Sequence, residues 1–195
     1  MKKLLIIIGI IVVAVAVITS TRSNPGTDPS QAQNDSASLT VEEQKIVEQD
    51  KAAVVSTTAA VRYTHPRLGF SFEKPEGYTV GSIKADDGSE TLVVQPSGGN
   101  AKQGFQIFIN PLDEPLDLTP QTVQRELPGT AVDNPLRITL DGVKNAMMFG
   151  SNNESFGGKS YEIWFATNSY VYQVTSYAEF AKQLQQIIGT WKFGK

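Results

Sequence analysis

The chain has 195 residues, with 17 Lys and Arg against 20 Asp and Glu for a net charge of −3, and it contains no Cys. There is no basic stripe to neutralise phosphates, which argues against a nucleic-acid partner. The missing Cys removes disulfides, thiolate nucleophiles, Cys-based zinc sites and a lipid-carrying lipoprotein signal. From Val61 onward 135 residues remain, enough for one ordinary domain that buries a real core without staples.

The N-terminus opens Met1-Lys2-Lys3 and then runs without a charge through Leu4, Leu5, Ile6, Ile7, Ile8, Gly9, Ile10, Ile11, Val12, Val13, Ala14, Val15, Ala16, Val17 and Ile18. Lysines ahead of the run and a lone Arg22 behind it place the N-terminus in the cytoplasm and the rest outside it. Residues 1–20 are therefore expected to be a transmembrane anchor or a signal segment. The small-x-small site Ala14-Val15-Ala16 lies inside the apolar run, where a peptidase does not readily reach it, so an uncleaved single-pass anchor is the expectation. Cleavage, giving a secreted form, is the alternative.

Residues 21–38 are rich in Ser, Thr, Asn, Gln, Gly, Pro and Asp, a composition that predicts a disordered polar linker. Residues 39–60 carry a capping-box pattern, Thr40 with Glu43, and good helix formers from Glu42 to Ala53. Glu42 and Gln49 stand where a coiled coil needs Leu, so the segment reads as a solvated helical stalk.

Residues 61–195 read as the domain. Phe70 and Phe72 alternate ahead of the turn signal Pro75-Glu76-Gly77. Strands are predicted over Thr91–Val94, around Phe105, Ile107 and Ile109, and over Arg137–Leu140, Val143–Phe149, Ser160–Ala166 and Tyr170–Thr175. Thr119 and Pro120 open a short helix with Val123 and Leu127 on one side. Phe180, Leu184, Ile187, Ile188 and Trp191 fall on one face of a closing helix. An antiparallel meander followed by an amphipathic helix implies an α+β domain.

The run Gly69-Phe70-Ser71-Phe72, followed by Pro75, Gly77 and Tyr78, resembles the opening of PsbP/Mog1-like domains. Asp141-Gly142-Val143 before a strand and the closing Trp191-Lys192-Phe193 resemble their middle and end. That resemblance implies an α/β/α sandwich, an antiparallel sheet covered by helices, here preceded by an N-terminal membrane helix. Known relatives include photosystem subunits, a GTPase-release factor, periplasmic lipoproteins and secretion-adaptor chaperones, which share architecture and no chemistry. No binding residue transfers from so diverse a set.

Candidate chemistry is sparse. His65 is the sole histidine and stands at a strand end or turn, where it reads as a surface or rim residue outside any Ser-His-Asp device. Asp86-Asp87-Gly88-Ser89-Glu90 and Asp113-Glu114 with Asp117 lack calcium-loop spacing and read as solvated turns. Asn34-Asp35-Ser36 and Asn153-Glu154-Ser155 match the glycosylation pattern by chance. No catalytic residue, metal ligand or cofactor is expected. Phe108 and Trp164 lie on the strand face opposite their alternating neighbours. They read as core under a helix, or otherwise as the lining of an apolar groove for a partner. The sequence thus predicts a non-enzymatic, membrane-tethered extracytoplasmic binding or scaffolding module, whose partners are the membrane itself and a protein near it. A periplasmic chaperone for hydrophobic segments and a hydrolase with scattered carboxylates are the alternatives.

Overall fold

The computed structural model describes residues 60–194. The expected anchor, linker and stalk fall on residues outside that range, apart from Ala60, which already belongs to the first strand. Among the described residues no helix is long and apolar enough to cross a membrane.

Two strands, β1 (Ala60–Thr64) and β2 (Ser71–Pro75), form an antiparallel hairpin of their own. The main sheet holds β3 (Tyr78–Lys84), β4 (Glu90–Pro96), β5 (Phe105–Pro111), β6 (Asp133–Leu140), β7 (Val143–Ser151), β8 (Ser160–Ala166) and β9 (Tyr170–Tyr177). Its order is β3-β4-β5-β9-β8-β7-β6, antiparallel throughout. The predicted meander is therefore two meanders, one of three strands and one of four, zipped together where β5 pairs with β9. Between them lies α1 (Pro120–Glu126), with the Thr119 side chain accepting from the Thr122 N–H at 3.0 Å as its N-cap. The Asp141-Gly142 turn joins β6 to β7, with φ of 46° and 85°, the left-handed pair that a two-residue hairpin requires.

Strand alternation divides the buried residues into two cores. On the first face, Leu92, Ile107, Val174 and Ile163 occupy one cross-strand row. Against them pack the hairpin residues Phe70 and Phe72 and the helix α2 (Ala181–Gly189) through Leu184, Ile187 and Ile188. The predicted face from Phe180 to Trp191 is buried throughout, although only its middle is α-helical. A 3-10 turn over Ala178–Phe180 precedes the helix, and Trp191 lies beyond its end. On the second face, Met147, Phe149, Trp164, Ala166 and Val171 pack under Val123, Leu127 and Leu118. The sheet therefore has a helix on each side, but α1 is short and covers only part of its face.

Trp191 binds these parts together. Its ring stacks on Phe70 at 4.3 Å and on Phe72 at 5.6 Å, and meets Phe165 edge-on at 4.9 Å. Trp191→Ala should cost about 3–5 kcal/mol of unfolding free energy, read from denaturant titration. A loss below about 1 kcal/mol would show that the hairpin is held some other way.

Candidate functional site

His65 and Glu90 correct the sequence reading. Neither is at the surface: His65 is 1% exposed and Glu90 3%. The Nδ1 atom of His65 accepts from the backbone N–H of Leu68 at 3.0 Å and of Arg67 at 3.3 Å. This leaves the ring hydrogen on Nε2, 3.2 Å from Glu90 Oε1. Glu90 also accepts from Ser82 Oγ at 2.6 Å and from the Arg67 guanidinium at 3.1 Å. Burial pushes its carboxyl up, but the Ser82 hydroxyl and the His65 ring outweigh that and hold it below the usual range. With Nδ1 occupied by backbone donors and the ring stacked on Phe70 at 4.8 Å, His65 has no face or lone pair for a substrate. It clamps the loop after β1 onto β4. The remaining acidic residues of the two clusters, Asp86, Asp87, Asp113, Glu114 and Asp117, are exposed as expected. Asn153 spends its side chain capping the 3-10 turn Glu154–Phe156, accepting from Ser155 at 3.0 Å. Among the described residues no cluster of His, Cys, Asp or Glu is arranged to hold a metal.

Phe108 and Trp164 do meet in one cross-strand row on the second face, with Gln173 between them. The row runs Ile83, Thr91, Phe108, Gln173, Trp164, Met147 and Arg137. Its two halves differ. Trp164 is 3% exposed beneath α1, whereas Phe108 and Thr91 are half-buried and Ile83 is 38% exposed. The Trp164 indole N–H donates to Glu162 Oε2 at 3.2 Å.

Glu162 carries no signal in a linear reading. It is 4% exposed, and accepts from Ser160 Oγ at 2.8 Å and Thr175 Oγ1 at 2.6 Å as well as from Trp164. All these partners are neutral. Burial drives the carboxyl above its ordinary range, and the donors only partly oppose this. The signal available was strand parity: Ser160, Glu162 and Trp164 alternate with Tyr161, Ile163 and Phe165, so they share the second face.

An open concavity of about 300 Å³ lies at the other end of the sheet, lined by Asp133, Asn134, Leu136, Met148, Gly150 and Tyr161 among others. A one-residue bulge creates it. Asp133 pairs with Gly150 and Leu136 with Met148, so Asn134-Pro135 spans the space of a single residue, with Asn134 at φ 50°. Leu136 is left 54% exposed beside half-buried Met148 and Tyr161. The Tyr161 hydroxyl is fixed by Gln185 of α2 and lies 2.9 Å from Met148 Sδ.

No protein-family model matches the chain, and no curated protein matches it. Among solved structures it is similar to the solution structure of cyanobacterial PsbP (CyanoP) from Synechocystis sp. PCC 6803. Identity is 12%, over 72% of this chain and 95% of that chain, with a TM-score of 0.45.

The Glu162 environment sets a pH dependence. An acid whose native pKa is raised stays protonated in the fold while the unfolded chain releases its proton. Its stabilising contribution is full below the unfolded carboxylate range and is lost as pH rises through the native value. Glu162→Gln keeps an acceptor and removes the titration. From about pH 4 to about pH 8 the unfolding free energy of the unsubstituted chain should fall relative to that of the variant. Parallel pH profiles in urea titrations would mean that the fold leaves this carboxyl unperturbed.

Proposed function

We propose that this chain is a membrane-tethered, extracytoplasmic binding or scaffolding module of PsbP/Mog1-like type that captures a protein partner near the bilayer. The motif from Gly69 to Tyr78 supports the family, and the lysine-led apolar run Leu4–Ile18 supports the tether. The observation that carries the binding reading is the groove at Leu136, Met148 and Tyr161. It exposes an apolar side chain at a sheet edge and is lined by Gly150, while the carboxylates Glu90 and Glu162 are buried elsewhere.

The groove also separates the alternatives. A volume of about 300 Å³ admits a few side chains, too little to shield a membrane helix of about 20 residues, so the chaperone reading loses ground. A hydrolase needs two carboxylates facing one substrate. The groove offers Asp133 alone, while Glu90 and Glu162 are buried in separate networks. The tether's role is to confine the groove to a shell at the membrane, where it raises the effective concentration toward a membrane-bound partner.

The anchored protein should stay with the membranes through high-salt and carbonate washing; a shortened, soluble product would replace the anchor with a cleaved signal. Leu136→Arg should reduce partner capture from membranes at least about tenfold, or about 1.4 kcal/mol, with the melting temperature unchanged because the side chain is already half in water. Undiminished capture by this variant would remove the groove from the interface.

A further inference from the structure

The two edges of the main sheet are built differently. The β6 edge is blunted: it carries Pro135, Asn134 at φ 50°, and register irregularities between Asp133 and Leu136 and between Ile138 and Leu140. The β3 edge has none of these devices. It pairs with β4 without interruption from Tyr78↔Pro96 to Lys84↔Glu90, and no described strand lies on its other side. Such an edge is a template for another strand.

The backbone parity of β3 defines what that template offers. Gly77 O accepts from Ser97 N, and Ala85 N donates to Ser89 O, so odd-numbered residues direct their backbone groups toward β4. The backbone groups of Tyr78, Val80, Ser82 and Lys84 therefore point outward. The Lys74 ammonium takes the Tyr78 carbonyl, leaving those of Val80, Ser82 and Lys84. Thr79, Gly81, Ser82, Ile83 and Lys84 are exposed.

We propose that this edge pairs with itself: two copies of the chain join their β3 strands antiparallel across a two-fold axis at Gly81. In that register Val80 exchanges hydrogen bonds with Ser82 of the second copy, using the outward groups of both. Thr79 then faces Ile83 of the second copy on the second face of the sheet, a β-branched pair that covers the exposed Ile83 side chain. Slipping the register one step either way sets Ile83 opposite Gly81 or Gly77, where no side chain meets it. The pairing is isologous, so it closes as a dimer and leaves no further edge of this kind.

The chain supplies its own test. It has no Cys, and a Cβ at Gly81 meets nothing nearer than Val93 O at 4.0 Å. At the axis the two Gly81 residues form a non-hydrogen-bonded pair with Cα atoms about 4.5 Å apart, within disulfide range. Full-length Gly81→Cys in membranes, mildly oxidised, should run on a non-reducing gel at twice the 21.2 kDa monomer for more than about half of the protein. Arg137→Cys, exposed on the β6 edge, should stay monomeric. Monomer from Gly81→Cys overturns the pairing, and equal cross-linking of both variants, the sign of random collision, overturns it as well. The unsubstituted chain in detergent should scatter light with a dimer's protein mass, and Ile83→Lys should return it to the monomer. A monomeric unsubstituted chain at micromolar concentration, or an Ile83→Lys protein that stays dimeric, is also fatal.

Discussion

Everything in the domain depends on Trp191. The β1–β2 hairpin shares no ladder with the main sheet, so side chains must attach it. Phe70 and Phe72 stack on the indole, and the indole in turn presses on Phe165 and Tyr172 of the sheet. Helix α2 ends at Gly189 just in time to deliver the ring. The backbone after it completes the attachment, with Lys192 and Ser71 exchanging hydrogen bonds of 2.8 Å in both directions. One residue further, the Phe193 N–H and the Lys192 ammonium bond Asp141 at 2.7 and 3.1 Å, and together hold its carboxyl below the ordinary range. Hairpin, helix end and the β6–β7 turn thus converge on three consecutive residues, Trp191 to Phe193.

The two faces of the sheet meet that constraint unequally. The hairpin and α2 together close the first face over its centre, and their reach ends near Tyr161, where Gln185 makes the last contact. Beyond it no described element lies above the bulged β6 edge, and the groove at Leu136 is open there. The second face has only α1 and the loops around it, which seal Trp164, Met147 and Phe149. Glu162 is buried there among Ser160, Trp164 and Thr175, and Phe156 of the β7–β8 loop packs against Tyr177 at 5.1 Å at the same end of β8 and β9. Gln173, between the sealed and open halves, keeps a buried side-chain nitrogen with no partner. Incomplete coverage is therefore a property of the element lengths, not of any single substitution.

Local patterns carried much of the fold. Thr119-Pro120 and the Phe180-to-Trp191 spacing gave both helices because capping and 3.6-residue periodicity act over a few residues. The alternation at Phe70 and Phe72 ahead of Pro75-Glu76-Gly77 was legible for the same reason. What escaped depends on distant partners. The β5–β9 junction joins residues far apart in the chain, from Phe105 with Ser176 to Pro111 with Tyr170, and no periodicity encodes such a pairing. His65 followed by Pro66 looks like an exposed turn until Glu90, on another strand, closes over it. Glu162 carries no mark in the linear sequence, because its partners Ser160, Thr175 and Trp164 are gathered around it only by the strand pairing. The groove arose from a bulge, which changes register without changing composition. Phe108 and Trp164 were rightly placed on one face, yet the extent of α1, which separates their environments, was not written at either position.

The buried polar groups share a role that suits a binding module better than a catalyst. His65 beside Glu90 joins the loop after β1 to β4, and Glu162 ties β8 to β9, each contact lying inside the protein. Such clamps fix the sheet's twist and hold its edges in place, and a rigid edge loses little conformational freedom on meeting a partner. Of the exposed large apolar residues, Val61 lies on the hairpin, and the other two, Ile83 and Leu136, stand at the two edges of the main sheet. These positions are six strand intervals apart, about 29 Å along the sheet at 4.8 Å per interval. An occupant at one edge does not obstruct the other. The two exposed apolar positions thus belong to separate surfaces at opposite ends of one sheet.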